Sequence, residues 1–254
     1  AGVKLGSVSP VHANITSLKE VNTFTVTTGH QLNIFTGPLY FIYKIVNAIN
    51  LARDLKKQYP QYNFLPIYWM ATEDHDLEEI NYINLYGGKL QWTANQKGAV
   101  GRMNTAGIDS LIEELSEHLG ASKNSKALIT IFEKAYLSAS NLADATRVLA
   151  HELFSKEGLV IVDGDRPRLK HFMQGAFKDD LLQHSIGKKV VESSEKLDQL
   201  YFSQVFPRDI TLFYLKGDLR ERIVKEDDQW TVLNSNIAFN EKSLLSELES
   251  FPER

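Results

Sequence analysis

The chain has 254 residues, of which 43% are hydrophobic and 24% are charged, a composition typical of a globular protein with one or two domains. Its net charge of −4 argues against nucleic-acid binding, because proteins that bind a phosphate backbone usually carry a basic excess. The absence of cysteine excludes disulfides, cysteine-ligated zinc and a cysteine nucleophile, and it is typical of a cytoplasmic protein.

The first part of the chain predicts a βαβ unit. Residues 24–28 alternate apolar and β-branched side chains, as a strand does, and residues 39–57 repeat apolar side chains with helical spacing. Residues 64–70 are almost all apolar, which is typical of a strand covered on both faces. The two strands should therefore be parallel and joined by a right-handed crossover. The longest apolar stretch, residues 34–51, includes Lys44 and predicts a buried amphipathic helix, so we expect no membrane span.

The turn between this strand and helix has the features of a ligand-binding turn. His30 directly follows the strand, where an imidazole can contact phosphate or act as an acid or base; the alternative is a histidine hydrogen-bonded within its loop. Thr36 or Gly37 can cap the helix, and Pro38 fits its first turn. Such a helix end favours phosphate or carboxylate groups, and Lys44 either reaches back toward the anion or lies exposed in solvent.

An acidic cluster follows the second strand. Glu73, Asp74, His75 and Asp76 stand together after an apolar run that could not bury them. They can contact a ligand amine or a metal ion, but oxygen-rich clusters often bind positively charged ligand groups, so we predict no metal site. The structural alternative is helix capping, because Asp76 and Glu79 have the spacing of a capping box and Asp74 can cap as well.

The rest of the chain alternates helices and strands. A hairpin is expected over residues 82–86 and 89–92, three helices over 108–118, 125–138 and 142–156, and a buried strand over 158–162. A helix should begin at Pro167 and run toward residue 202 with a break at Gly187. Three antiparallel strands are expected over residues 210–215, 221–224 and 230–233.

This alternation predicts an α/β fold with a doubly wound parallel sheet, in which ligands bind outside the carboxyl ends of the strands. The loops at residues 29–31, 73–76 and 163–165 should all lie at that edge. Asp163 is placed to bind a ribose hydroxyl, whereas Asp165 is better placed to cap the following helix. The sequence has no P-loop, no complete Gly-x-Gly-x-x-Gly and no Gly-x-Ser-x-Gly, which disfavours Walker ATPases, ordinary dehydrogenases and α/β-hydrolases.

Several of these motifs together resemble the bacillithiol biosynthesis cysteine-adding enzymes, the cysteine ligases of that pathway. The residues that carry the resemblance are Thr28, Gly29, His30, Gln31, Phe35, Thr36, Gly37, Pro38, Leu39, Tyr40 and Lys44, then residues 69–76 with Glu79, and residues 206–215 with 220–223. The resemblance spans most of the chain. Family members are about twice as long, so this chain is expected to be incomplete at both ends.

The resemblance implies a Rossmann-like core related to nucleotidyltransferases and an amide-forming step that joins L-cysteine to glucosaminyl-malate. We expect the core over residues 1–94 and 140–206, a helical insertion over 95–139 and a small β-rich segment over 207–254. It further implies a cytoplasmic enzyme whose full-length form is a homodimer held by a coiled coil. The cysteine carboxyl must be activated, but the cosubstrate is left open between ATP and another nucleotide.

On this basis the catalytic residues are expected to be His30, Asp74 and His75. The substrate- or nucleotide-binding residues are expected to be Gly29, Gln31, Thr36, Gly37, Tyr40, Lys44, Glu73, Asp76, Asp163 and Asp165. Two other functions stay open: a nucleotidyltransferase that releases pyrophosphate, and a non-catalytic sugar- or nucleotide-binding module.

Overall fold

The computed structural model describes residues 9–254, and the chain forms two compact units, Ala1–Gly164 and Asp165–Arg254. In chain order, the first unit contains α1 (Pro10–Ser17), β1 (Thr23–His30), α2 (Tyr40–Gln58), β2 (Asn63–Met70), α3 (Leu77–Ile80), β3 (Tyr82–Leu85), β4 (Gly88–Gln91), α4 (Ile108–Leu119), α5 (Lys123–Tyr136), α6 (Leu142–Phe154) and β5 (Val160–Asp163). Single turns of 3-10 helix lie at Ile34–Thr36, Val100–Arg102 and Ser155–Glu157. No helix within residues 9–254 is both long and apolar enough to cross a bilayer.

A three-stranded parallel sheet organises the first unit, with strand order β1, β2, β5. The last residues of the three strands are in register, because His30 pairs with Met70 and Met70 pairs with Asp163. Helix α2 packs against β1 and β2, as a βαβ unit requires. The predicted parallel α/β arrangement is therefore confirmed, and the three loops expected at one edge do follow the carboxyl ends of adjacent strands.

One hydrophobic core joins this sheet to the helices that follow it. Trp92, which follows the β3–β4 hairpin, and Tyr136 of α5 are both fully buried, and they belong to the same cluster as Tyr68 and Met70 of the central strand. The predicted hairpin and the three predicted helices are all present. The helices thus cover the part of the core that a three-stranded sheet cannot enclose by itself.

The start of α2 differs from the prediction. The helix begins at Tyr40 with Leu39 at the N-cap position and no side-chain cap, so neither Thr36 nor Gly37 caps it and Pro38 precedes its first turn. The cause is the 3-10 turn just before it, which ends at Gly37 with φ 54° and ψ −138°. A Cβ on Gly37 would lie 2.2 Å from Cβ of Asn33, so the backbone reverses where only glycine fits.

The central strand is not covered on both faces along its whole length. Trp69 is 45% exposed, although its neighbours Tyr68 and Met70 are buried. Its ring lies against Gly164, where a Cβ would come within 2.5 Å of the indole. The expectation of complete burial is therefore wrong at the carboxyl end of β2, where the Trp69 side chain is half-exposed.

The second unit contains α7 (Pro167–Gln183), α8 (Ser185–Leu197), β6 (Phe213–Lys216), β7 (Leu219–Glu226), β8 (Gln229–Val232), β9 (Ala238–Phe239) and α9 (Glu241–Ser250). The four strands form an antiparallel sheet in sequential order. Trp230 and Leu181 are among the buried side chains of its core. The three predicted strands are present, whereas β9 and α9 were not predicted.

Two predictions about the helices of the second unit are wrong. The break falls at His184, which has φ 55°, and Gly187 lies inside α8. Asp165 does not cap α7, whose N-cap position is held by Arg166 without a side-chain bond. Asp165 instead forms an ion pair of 3.2 Å with Lys170, and both side chains are only 9% exposed. Lys170, rather than the first amides of α7, is therefore a partner of the Asp165 carboxylate.

Candidate active site

His30 ends β1 and turns its imidazole into the protein. The ring is stacked on Tyr40 with 4.9 Å between centroids and an interplanar angle of 9°, and it lies 5.6 Å from the ring of Phe41. The residue is 8% exposed, and its Nε2 atom has no hydrogen-bond partner within residues 9–254. Burial, followed by the positive charge of Lys44, lowers the pKa of His30 to about 4. The imidazole is therefore neutral near pH 7.

Gln31 connects the turn after β1 to the acidic cluster after β2. Its Nε2 donates hydrogen bonds to Oδ2 of Asp74, at 2.9 Å, and to Oε2 of Glu79, at 2.8 Å. Oδ1 of Asp74 accepts a further bond of 2.8 Å from the backbone amide of His75. The Asp74 carboxylate is thereby held at both oxygens, one of them by a residue 43 positions earlier in the chain.

His75 stands between two carboxylates. Its Nδ1 lies 3.6 Å from Oδ1 of Asp74, its Nε2 lies 3.6 Å from Oδ1 of Asp76, and its side chain is 50% exposed. One ligand atom from each of these three residues lies within 4.8 Å of the others, close enough to surround a cation or an ammonium group. His75 and Asp76 are exposed to water, so this grouping alone identifies no metal site.

The expected capping box in this loop does not form. Asp76 occupies the N-cap position of α3 but makes no side-chain cap bond there. Glu79 accepts from Gln31 instead, so its carboxylate belongs to the candidate site. Glu73, also predicted to bind ligand, lies partly buried in the same loop.

The turn that leads into α2 carries an unusual backbone. Phe35 and Thr36 have φ values of 49° and 73°, a conformation that side chains with a Cβ seldom adopt. The backbone amide of Phe35 donates a 2.8 Å bond to the buried hydroxyl of Tyr136, which holds this conformation from α5. Strain of this kind commonly marks a functional turn. Tyr136 was not predicted, because in the sequence it is one more apolar position of a helix.

A cleft of about 650 Å³ opens beside this turn. Its lining comprises Gln31, Asn33, Thr36, Gly37, Pro38, Leu39, Tyr40, Glu79, Tyr82, Ile83 and Asn84. The first turn of α2 and the Gln31–Glu79 contact therefore border one cavity, large enough for a small-molecule substrate. Lys44 lies exposed one helical turn beyond Tyr40 and does not border the cavity.

Asp163 is fixed by a residue that was not predicted. The hydroxyl of Thr72 donates a 2.7 Å hydrogen bond to Oδ1 of Asp163, and Thr72 is 1% exposed. The backbone amide of Gly101 in turn donates to the carbonyl of Thr72 at 2.8 Å. A Cβ on Gly101 would lie 2.6 Å from Cβ of Thr72, so glycine allows this close contact.

The structure brings some of the predicted site residues together and separates others. Gln31 contacts Asp74 directly, and Tyr40 contacts His30. Gly29, which lies in β1 opposite Trp69, and Asp163 share the same sheet edge. Asp165 belongs to the second unit. Their roles toward ligand stay predictions.

Comparison with known proteins identifies the family and the fold class. Residues 3–254 match the family described as "Bacillithiol biosynthesis BshC, N-terminal Rossmann-like domain". The α/β, Rossmann-like fold predicted from the sequence is thereby confirmed.

The relatives carry the name "Putative cysteine ligase BshC". The protein from Flavobacterium psychrophilum is 51% identical over 241 residues, which are 95% of this chain and 45% of the relative. The protein from Christiangramia forsetii is 48% identical over 257 residues, 99% of this chain and 48% of the relative. The protein from Natranaerobius thermophilus is 30% identical over 253 residues, which are 95% of this chain and 46% of the relative. The chain therefore spans about half the length of these relatives.

Proposed function

The chain belongs to the bacillithiol biosynthesis BshC family, and we propose that it contributes the Rossmann-like part of a ligase that joins L-cysteine to glucosaminyl-malate. The observation that carries this proposal is the carboxyl edge of the sheet, where Gln31 lines a cleft of about 650 Å³ and donates a hydrogen bond to the Asp74 carboxylate. A fixed carboxylate next to a small-molecule cavity is suited to binding the amine of an amino sugar.

The proposed reaction forms one bond and breaks another. The sugar amine attacks the activated carboxyl carbon of cysteine, a C–N bond forms, and the C–O bond to the leaving group breaks. The nitrogen gives up a proton, and the leaving group departs with the bonding electrons. Because a carboxylate is a poor acyl donor, a nucleotide cosubstrate has to convert it first into an adenylate or an acyl phosphate.

We assign the amine side of the reaction to the loop after β2. Asp74, held at both oxygens, orients the amine, and the exposed imidazole of His75 accepts its proton. Asp76 lies on the other side of His75 and stabilises the imidazolium that results. Glu73 contributes to binding from the same loop.

We assign the phosphate side to the turn after β1 and the start of α2. His30 is neutral near pH 7, so it contributes hydrogen bonding rather than charge. The charge of Lys44 acts on His30 from outside the lining of the cleft, so Lys44 contributes long-range positive potential rather than a direct contact. Leu39 and Tyr40, at the start of α2, line the cleft, and a helix N-terminus favours an anionic group. Asp163, fixed by Thr72, is suited to accept a ribose hydroxyl of the nucleotide.

The proposal is tested by incubating the full-length protein with L-cysteine, glucosaminyl-malate and a nucleoside triphosphate and analysing the products by mass spectrometry. The expected product is the amide, and His75→Gln and Asp74→Asn should each slow its formation by about 100-fold or more. Asp54→Asn is the matched control, because Asp54 lies exposed on α2 and pairs only with the neighbouring Lys57 in the described structure. This control should keep the parent rate.

The other outcomes separate the rival functions. Pyrophosphate release without amide would favour a nucleotidyltransferase, and ligand binding without either reaction would favour a binding module. No amide with any nucleotide would contradict the ligase proposal. We further propose that the reaction takes place in the cytoplasm, where thiol substrates stay reduced, and that the full-length enzyme is a homodimer.

A further inference from the structure

The second unit contains a cleft of about 400 Å³ between the loop at residues 207–210 and strand β7. The charged or titratable side chains of its lining are His184, Arg208, Asp209, Arg222, Lys225 and Asp227. All of them belong to the second unit, so the cleft is complete within that unit. The ligase proposal makes no use of it.

The two arginines of this cleft form no direct ion pair with a carboxylate in the described part of the chain. Within residues 9–254, the guanidinium groups of Arg208 and Arg222 take part in no hydrogen bond and no ion pair. The Nε atom of Arg222 is buried without an acceptor. A buried donor of a charged group that lacks an acceptor is costly, and an acceptor that reaches Nε of Arg222 would remove this cost.

The loop that carries Arg208 is held in place from α8 and from the turn before it. Gly187 lies so close that a Cβ there would come within 2.3 Å of the Arg208 carbonyl oxygen. Nδ1 of His184 lies 3.2 Å from the carbonyl oxygen of Asp209, within hydrogen-bond distance. The loop is therefore in close contact with α8 and with the residue before it.

A buried carboxylate fixes the same loop from the other end. Oδ2 of Asp180, which is fully buried, accepts bonds from the backbone amide of Thr211 at 2.8 Å and from its hydroxyl at 2.9 Å. On the opposite wall, the ammonium of Lys225 lies 4.6 Å from the ring centroid of Trp230, a cation–π contact. The backbone that carries Arg208 and the ammonium group of Lys225 are thus both held by contacts within the protein.

We propose that this cleft binds the oxyanion of a small molecule, a phosphate or a carboxylate, through Arg208 and Arg222. A guanidinium presents parallel donors that match two oxygens of such a group, and two of them can grip it from opposite walls. Asp209 and Asp227 leave the lining with only a small positive excess. That balance suits a compact anion rather than a polyanion such as nucleic acid.

Calorimetric titration of the 254-residue chain with inorganic pyrophosphate and, separately, with succinate tests this site. Arg222→Met keeps the aliphatic stem of the side chain. Arg208→Gln changes an exposed position and should fold normally, so it tests the site even if Arg222→Met does not fold. Each should weaken binding by about tenfold or more. Lys242→Gln, which removes an exposed charge of α9 in the same unit, should change it by less than about twofold.

The two probes identify the source of the oxyanion. Tighter binding of pyrophosphate indicates a phosphate ligand, and tighter binding of succinate indicates a carboxylate ligand. The proposal is overturned if neither probe binds, or if Arg208→Gln and Arg222→Met bind as tightly as the parent. The proposal is also overturned if the arginine variants lose no more affinity than Lys242→Gln does, because the effect would then come from net charge alone.

Discussion

The side-chain amide of Gln31 donates to the Asp74 carboxylate across 2.9 Å and so joins the loops that follow two neighbouring strands. The same nitrogen also donates to Glu79 at 2.8 Å. One neutral amide therefore bridges two carboxylates. This contact sets the position of the carboxylate to which we assign the amine.

Replacing Gln31 by Glu should destabilise the fold at pH 7. The variant loses both donated bonds and adds a third carboxylate, so we expect the free energy of unfolding to fall by about 1–2 kcal/mol. Urea denaturation measures it. Gln31→Met is the control, since it loses the bonds without adding charge. In 1 M salt the Glu variant should recover part of its loss and the Met variant should not; identical salt responses would contradict repulsion as the cause.

The buried His30 should make stability depend on pH. Its pKa is about 4 in the folded chain and near 6.5 when unfolded, so between these values the unfolded state binds the additional proton. Stability from this group is complete above pH 6.5 and is lost as pH falls toward 4, by up to about 3 kcal/mol. The free energy of unfolding should therefore fall more steeply between pH 6.5 and pH 4 in the parent than in His30→Phe, as measured by urea denaturation at a series of pH values.

NMR titration of the imidazole protons measures this pKa directly. Lys44→Met should raise the pKa of His30, because the Lys44 charge contributes to lowering it. His171→Gln, at an exposed position of α7, should leave the His30 titration unchanged. A His30 resonance that titrates near 6.5 in the parent would show that the ring is solvated rather than buried.

The sheet edge could be predicted because its signals are local. The apolar composition of residues 64–70 is enough to predict a buried strand, and the loop at 73–76 is too acidic to continue that strand. Parallel topology then places the loops after adjacent strands together, as the register of His30 with Met70 confirms. Local patterns were sufficient because each element carries its own periodicity.

The partners within the site could not be predicted, because they depend on long-range contacts. Gln31 reaches Asp74 over 43 positions, and Tyr136 reaches Phe35 over 101 positions. The cap predictions were wrong for a related reason. A cap is an exposed, weak preference, and Asp165 satisfies its charge with Lys170 instead.

Tyr136→Phe should loosen the turn before α2. The variant leaves the buried amide of Phe35 without its acceptor, which should cost about 1–2 kcal/mol of stability. Hydrogen exchange at the Phe35 amide should accelerate more than exchange in β2, since the strained turn loses its anchor. Tyr59→Phe, at a 41% exposed tyrosine after α2, is the control and should cost less than about 0.5 kcal/mol. Uniform acceleration in both regions would instead indicate global destabilisation.

Thr72 offers a test of how Asp163 is held. Thr72→Val keeps the shape of the side chain but removes the hydroxyl that donates to the carboxylate at 2.7 Å. Because this bond involves a charged acceptor, we expect a loss of about 1.5–3 kcal/mol in urea denaturation and weaker nucleotide binding. Thr72→Ser keeps the hydroxyl and loses one buried methyl, so its stability loss of about 1 kcal/mol should come without a change in nucleotide affinity. Only the Val variant removes the hydrogen bond from residue 72 to the Asp163 carboxylate. Equal nucleotide affinities for the Val and Ser variants would therefore contradict a role of this bond in nucleotide binding.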